Sequence, residues 1–382
     1  MTVNLGSDSK KYAFFEGERR VLSAHFEVEA ARFCVALDGT ESNISQDQYE
    51  NSAKFVLDCL IENKIIPSPK EISGIGFRIV APGSFFTQTK LIDDDYKAKL
   101  VSAQEIAPLH LSETIKEIQK WEEFAGGTKF VGVSDSTFHK DLNSLARVYA
   151  ISSETAKELD VYRFGYHGIS ISSVLGKYKE MTGVIPSRVV VCHLGSGVSI
   201  TAVRDGKSFD TSMGFTPLEG VPMNSRIGDI DAGAVIYLEK GLGLSPDQIR
   251  DYLNSKCGLL ALGGIKKGGV RELIELEKRG NEKAKLALDL FAYKVKKYIG
   301  SYIAALGGVD AVIFTATIGE RSALMRDRIC SDLEEMGISL DQAKNEEMTN
   351  NSGFIENGKV KIAVIKTDEM KEIRDEVENG LS

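Results

Sequence analysis

The tripeptide Leu-Gly-Ser occurs twice, at Leu5-Gly6-Ser7 and Leu194-Gly195-Ser196. Each time a second glycine, Gly17 or Gly206, lies eleven residues after the first. Both copies follow a short apolar lead and run through alternating residues to that second glycine. The spacing predicts strand, glycine turn, strand, turn in each place. The first turn is rich in small hydroxyls and backbone N–H donors. Glycine, lacking a Cβ, lets such amides close on phosphate oxygens. Two copies far apart in one chain predict two related lobes that face each other across a phosphate-holding cleft.

At 382 residues the chain is long for one core, as two lobes require. A net charge of −8 argues against a nucleic-acid binder but not against small anionic substrates, which need only a local arginine cluster. No apolar stretch is long enough to span a bilayer and no basic, apolar leader opens the chain, so no membrane association and a cytoplasmic location are expected. Cys34, Cys59, Cys192, Cys257 and Cys330 are scattered and never form a CxxC pair. That pattern fits buried thiols in a reducing compartment better than a zinc site.

Alternating segments near 2–5, 10–16 and 20–28 predict an antiparallel meander. Residues 46–64 carry helical spacing, 74–80 read as a buried strand, polar helix-forming sequence continues to about 124, and 129–133 read as a strand. The second half repeats the logic, with a helix near 168–181, a strand at 188–193 and a meander to about 210. Ala284, Leu288, Phe291, Val295, Tyr298 and Tyr302 stripe a helix over about 281–304. Strands at 311–314 and 360–366 follow, with helices from about 322 and over about 372–382. Strands alternating with helices after a meander predict an α/β architecture.

Polar and glycine-rich residues gather where strands end, which is where open α/β sheets build sites. The densest run extends from His193-Leu194-Gly195-Ser196-Gly197 through Asp210-Thr211-Ser212-Met213-Gly214-Phe215-Thr216-Pro217-Leu218-Glu219-Gly220 to Asn224-Ser225-Arg226-Ile227-Gly228-Asp229. This run closely resembles the pattern of the acetate kinase (acetokinase) family. The likeness continues at Asn4 through Tyr12, Phe77-Arg78-Ile79-Val80, Ala107-Pro108-Leu109-His110 and Asp135 through His139. It also covers Tyr162-Arg163-Phe164-Gly165-Tyr166-His167-Gly168, Phe314 through Glu320 and Thr367-Asp368-Glu369.

The resemblance implies a two-lobed actin-like fold, a duplicated ribonuclease-H-like core with an interdomain cleft. It places 1–137 with 372–382 in an N-terminal lobe on the acyl and phosphoryl side. Residues 138–371 form a C-terminal, nucleotide-binding lobe that also dimerises. The activity implied is phosphoryl transfer between ATP and acetate, giving ADP and acetyl phosphate, with Mg2+ (Mn2+ as an alternative) and a homodimeric enzyme. Such a reaction brings two anions into line, so its demands are positioning and charge neutralisation, for which arginine forks are suited. By resemblance Arg78 and Arg226 bind acetate and the transferring phosphoryl group. His167 stabilises the phosphoryl oxygens, and Asp135 orients an arginine. Val80, Leu109, Tyr166 and Pro217 wall the acyl pocket, with Tyr166 adding a hydroxyl where phenylalanine is usual. Asn4 and Glu369 stand at the metal. Ser7, Ser9, Lys11, His193, Gly195, Ser196, Gly197, Arg271, Thr317 and Gly319 stand on the phosphate and nucleotide side. His110 and His193 each fit a structural role as readily as a direct one, and His25 and His139 are expected to be structural.

The departures from the family pattern collect near the nucleotide. Ser196 replaces an asparagine, Thr317 replaces a glycine, and the acid usually found before Arg271 is missing. These changes keep open a looser nucleotide site or another donor such as pyrophosphate. Propionate or butyrate as acceptor, and a non-catalytic actin-like nucleotide-binding scaffold, are the other readings. A scaffold would leave both arginines and His167 without a use.

Overall fold

The computed structural model describes residues 1–6, 9–29 and 32–381, without the side chains at 29 and 108–110. The chain divides into two compact units, Met1–Thr137 with Asp368–Ser382, and Phe138–Thr367.

The sheet of the first unit contains β1 (Thr2–Leu5), β2 (Ser9–Glu16), β3 (Arg19–Glu29), β4 (Arg32–Leu37), β5 (Thr40–Ile44), β6 (Gly74–Ile79), β7 (Lys90–Leu91) and β8 (Lys129–Ser134). Their spatial order is β5-β4-β3-β2-β1-β6-β8-β7. The first five form an antiparallel meander, β6 and β8 run parallel to β1, and β7 closes the edge antiparallel. The second unit contains β9 (Arg188–Leu194), β10 (Val198–Arg204), β11 (Lys207–Thr211), β12 (Ala311–Thr315), β13 (Gly353–Phe354) and β14 (Lys361–Val364). These lie in the order β11-β10-β9-β12-β14-β13.

Without β4 and β5 the two sheets have one connectivity. A three-strand meander is followed by two strands parallel to its first member and a two-residue antiparallel edge. Leu5-Gly6 and Leu194-Gly195 are the chain's exits from β1 and β9. Gly17 and Gly206 occupy the β2–β3 and β10–β11 turns at φ 59° and 77°, a region that favours glycine. The eleven-residue spacing thus measures one turn plus one strand plus the next turn. The duplicated, two-unit α/β fold expected from the sequence is present.

The central strands β1, β6, β8, β9 and β12 are buried at nearly every position. The helix Glu369–Leu381 lies on β6, where a Cβ at Gly76 would come within 2.3 Å of Val377 and one at Gly74 within 2.6 Å of Leu381. The pair of glycines in Gly74-Ile75-Gly76 makes that close approach feasible. This helix begins at Glu369, earlier than the expected 372, because Asp368 caps it by accepting the Lys371 N–H.

In the second unit the helix Glu282–Leu306 buries Ala284, Leu288, Phe291, Val295 and Tyr302, whereas Tyr298 lies at the edge of the stripe and donates its hydroxyl to Asp229. Helices Ala232–Leu242, Pro246–Ser255, Gly258–Gly263 and Val270–Lys278 fill a stretch for which the sequence reading proposed no elements. Among the described residues no helix is long and apolar enough to cross a membrane.

Candidate active site

In the first unit three parallel strands deliver three side chains to their C-terminal ends. β1 carries Asn4, β6 carries Arg78, and β8 ends at Ser134 with Asp135 next. The register pairs Arg78 with Val133 and Ile79 with Ser134, so the two strand ends arrive level. Arg78 Nη2 meets Asp135 Oδ2 at 2.8 Å, with the arginine side chain 14% and the aspartate 1% exposed. Arg78 Nη1 donates to Asn4 Oδ1 at 3.1 Å, and Asn4 Nδ2 donates to Glu369 Oε2 at 2.7 Å. One chain of contacts therefore links Asp135, Arg78, Asn4 and Glu369.

Burial alone would lower the Arg78 pKa, but the Asp135 and Glu369 carboxylates outweigh it and raise the value above that of a free arginine. The guanidinium is cationic at any working pH. Its Nε–H is buried and has no partner among the described residues. A buried donor to spare on a permanent cation is able to receive a further acceptor.

Lys11 lies opposite Asn4 across the β1–β2 pair, and Ser9 opens β2 with its carbonyl accepting the Gly6 N–H. Val80 is buried directly after β6. Ser7 and the side chains of Leu109 and His110 lie outside the described residues.

In the second unit a different cluster forms around β9. His167 is the N-terminal residue of the helix Gly168–Thr182 and takes a left-handed backbone, φ 62°, a strained conformation for a non-glycine residue. Its ring stacks on His193 with centroids 4.0 Å apart. His167 Nδ1 is bonded to Ser199 Oγ and His193 Nδ1 to Ser170 Oγ, each at 2.9 Å. These serine contacts fix both rings, and Nε2 of each lies near the glycine turn. A Cβ on Gly197 would lie 2.9 Å from His167 Nε2, and one on Gly195 would lie 3.6 Å from His193 Nε2.

The helix Ala316–Arg321 starts beside this turn, a Cβ on Gly195 coming within 3.4 Å of Ala316 Cβ. Ala316 is itself left-handed at φ 64°. Thr317 and Ser196 are exposed, and Gly319 is buried. The structure thus brings His167, His193, Gly195, Ser196, Gly197, Thr317 and Gly319 to one end of the second sheet. Arg271 is exposed on the helix Val270–Lys278, beside Glu275.

Arg226 donates from Nη1 to the Pro217 carbonyl at 3.4 Å and approaches Met223 Sδ at 3.8 Å. Tyr166 is buried, and its hydroxyl donates to the Phe215 carbonyl at 2.7 Å. The Tyr166 hydroxyl is therefore engaged within the protein. His139 is structural in form, buried with both ring nitrogens bonded, to Ser208 Oγ and the Tyr166 carbonyl.

Sequence reasoning assigned nothing to Tyr149, Arg163 or Glu219, which form a polar cluster behind Pro217. Arg163 and Glu219 lie inside quoted motifs, so the signal was present, but their partners are contacts that spacing does not reveal.

Among the described residues no group of three or more His, Cys, Asp or Glu side chains is placed to hold a metal ion. Glu369 offers hard carboxylate oxygens. Asn4 directs its amide nitrogen at Glu369 and its oxygen at Arg78, so it orients that carboxylate. A single carboxylate suits a cation that keeps most of its waters and binds chiefly through substrate phosphates.

Comparison with known proteins agrees with this geometry. The family model described as the acetokinase family matches residues 1–375. Acetate kinase of Brachyspira hyodysenteriae is 37% identical, covering 98% of this chain and 97% of that protein. Acetate kinase of Bacillus cytotoxicus is 38% identical, covering 97% and 95%. Among solved structures, Porphyromonas gingivalis acetate kinase superposes with a TM-score of 0.86 at 31% identity, over 100% of this chain and 99% of that one. A propionate kinase from Francisella tularensis superposes at 0.89 and 32%, over 99% and 98%.

Proposed function

Because the chain belongs to the acetokinase family, and so is a kinase with a carboxyl group as acceptor, we propose that it transfers a phosphoryl group reversibly between ATP and acetate. The reading includes Mg2+ dependence and direct in-line attack by the carboxylate. The observation that carries it is the Arg78 guanidinium, fixed by Asp135 and Asn4 and still holding an unpartnered buried Nε–H.

Acetate needs no proton removed before it attacks phosphorus, so no general base is required. The protein's task is to hold the carboxylate in line and to offset charge on the phosphoryl oxygens. Arg78 receives the carboxylate, and its fixed fork limits the angle of approach. Arg226 takes the transferring phosphoryl group. His167, its Nδ1 bonded to Ser199 Oγ, is assigned to stabilise the phosphoryl oxygens. The Gly195–Gly197 turn, His193, Thr317 and Gly319 receive the remaining phosphates, with Ser9 and Lys11 assigned to the same charge and Arg271 to the nucleoside. Val80, Leu109, Tyr166 and Pro217 wall the acyl group. When bound, a divalent metal neutralises phosphate charge; Glu369 is the side chain that would hold it, oriented by Asn4.

A homodimer formed through the second unit belongs to the same reading. The helix Ala232–Leu242 buries none of its residues, although Ile236, Tyr237 and Leu242 on it are large and apolar. Covering such a face is the ordinary role of a partner subunit.

The test is acyl hydroxamate formation from acetate, propionate and butyrate, with ATP, GTP and pyrophosphate as donors, with and without Mg2+. Turnover of acetate with ATP and Mg2+ is the expected result. Similarity to a propionate kinase makes propionate the second acceptor to watch. Turnover with pyrophosphate alone would overturn the nucleotide assignment of Thr317 and Ser196.

A further inference from the structure

The loop 211–219 carries Pro217 and runs without regular secondary structure once β11 ends at Thr211. A loop of that kind does not hold a functional group steady by itself. Here five successive residues, 211–215, and Glu219 are held by one cluster. Arg163 donates from Nη1 to the carbonyls of Thr211, Ser212 and Met213 at 3.0, 3.4 and 3.2 Å. Its Nη2 meets Glu219 Oε1 at 2.5 Å, and its Nε holds the Ala146 carbonyl at 3.1 Å. The Phe164 N–H reaches the Gly214 carbonyl at 3.1 Å. Tyr149 closes the arrangement, its hydroxyl donating to Glu219 Oε2 at 2.6 Å and accepting from the Phe215 N–H at 2.9 Å.

Gly214 shows how tightly the loop is drawn onto this cluster. A Cβ there would lie 1.7 Å from Glu219 Oε2 and 2.3 Å from the Tyr149 hydroxyl. Arg163 and Glu219 are only 17% and 32% exposed. An ion pair so enclosed costs desolvation that its own attraction only partly offsets, so it is weak as a stabilising device but effective in fixing a geometry. Pro217, whose carbonyl receives Arg226, lies between the held residues Phe215 and Glu219.

We propose that Tyr149, Arg163 and Glu219 are positioning residues for the phosphoryl transfer. They hold the loop 211–219 so that the Pro217 carbonyl sets the aim of the Arg226 guanidinium. The inference rests on the reading that Arg226 binds the transferring phosphoryl group. Tyr149 and Glu219 are assigned no contact with substrate; they act through the loop.

The experiment is a double-mutant cycle on the full-length chain. Tyr149→Phe and Arg226→Lys are made singly and together, and transfer from labelled ATP to acetate is followed so that slow residual rates are readable. Tyr149→Phe removes one hydroxyl and keeps the ring, and it is expected to lower kcat about tenfold or more, with a melting temperature only a few degrees lower because the bonds to Glu219 and Phe215 are lost. In the Arg226→Lys background the same change is expected to cost nearly nothing, because the group it aims is already gone. An equal loss in both backgrounds, or no loss in the first, would overturn the inference. Full activity in Arg226→Lys alone would instead overturn the reading of Arg226 on which it rests. Should Tyr149→Phe not fold, Glu219→Gln run through the same cycle decides the question, since it keeps an acceptor for Tyr149 and removes the charge facing Arg163.

Discussion

Replacing Asp135 with Asn removes one charge from a pair almost wholly out of water. Asp135 is 1% exposed and its Oδ2 stands 2.8 Å from Arg78 Nη2. The amide oxygen of Asn keeps an acceptor in place, so the loss is of charge assistance, not of the whole bond. A hydrogen bond to a charged group is worth about 1.5–3 kcal/mol against about 1 for a neutral one. Outright loss of one partner from a buried pair costs about 3–5 kcal/mol. Glu369, reached through Asn4, still offsets part of the Arg78 charge. The variant should therefore lose about 1–2 kcal/mol of stability, roughly 2–8 °C in melting temperature for a unit of this size. Its effect on catalysis should be larger, because a misplacement of about 1 Å in a positioned group costs on the order of 100-fold in rate. Hydroxamate kinetics and thermal unfolding on one preparation read both quantities. Wild-type kcat/KM and melting temperature together would show that Asp135 does not hold Arg78, and the argument for a fixed fork would fail.

Three other outcomes follow from the same geometry. Gly76→Ala places a methyl 2.3 Å from Val377 Cγ2 and 2.9 Å from Ile373 Cγ2, and should cost about 1–3 kcal/mol as the final helix is pushed outward; a melting temperature at or above wild type would contradict the packing. Tyr166→Phe removes a hydroxyl already engaged by the Phe215 carbonyl, so the ratio of kcat/KM for acetate to that for propionate should stay unchanged, and a shift toward the longer acid would mean that the hydroxyl faces the acyl group. Burial, reinforced by Asp375 and Glu376, raises the Glu372 carboxyl from 4.5 to about 7. The folded chain then binds that proton more tightly than the unfolded one, so the associated stability is present below pH 4.5 and lost as the pH rises to about 7. Glu372→Gln should accordingly raise the melting temperature more in alkaline than in acidic buffer, and an equal gain in both would refute the assignment.

The duplication was legible because it was written twice, in glycines that turn the chain at fixed intervals. β1 was legible through its alternation and β6 and β8 through their apolar runs, whereas Arg78 and Asp135 stood out by their resemblance to the family's motifs. The edge strands β7 and β13, two residues each, are too short for any period to register. The helices between 232 and 278 escaped because Ala232–Leu242 is apolar without a buried face. Their signals were caps, Asp231 accepting from Ala234 N–H and Ser245 forming a box with Gln248, and these were not read. The cluster of Tyr149, Arg163 and Glu219 escaped for a different reason. Its members are far apart in sequence, and its geometry depends on Gly214 lacking a Cβ, which no local pattern announces. The hydroxyl at Tyr166 was read as a difference from the family, and only the fold could say that it bonds to the Phe215 carbonyl.

The central claim is that Arg78 and Arg226 both act on one phosphoryl transfer to acetate. It is tested most directly by acetyl hydroxamate formation with ATP and Mg2+ in wild type, Arg78→Ala and Arg226→Ala. The account predicts turnover in the wild type and a loss of about 100-fold or more in each variant, the scale on which removal of a transition-state donor is felt. Undiminished turnover in either variant would contradict it.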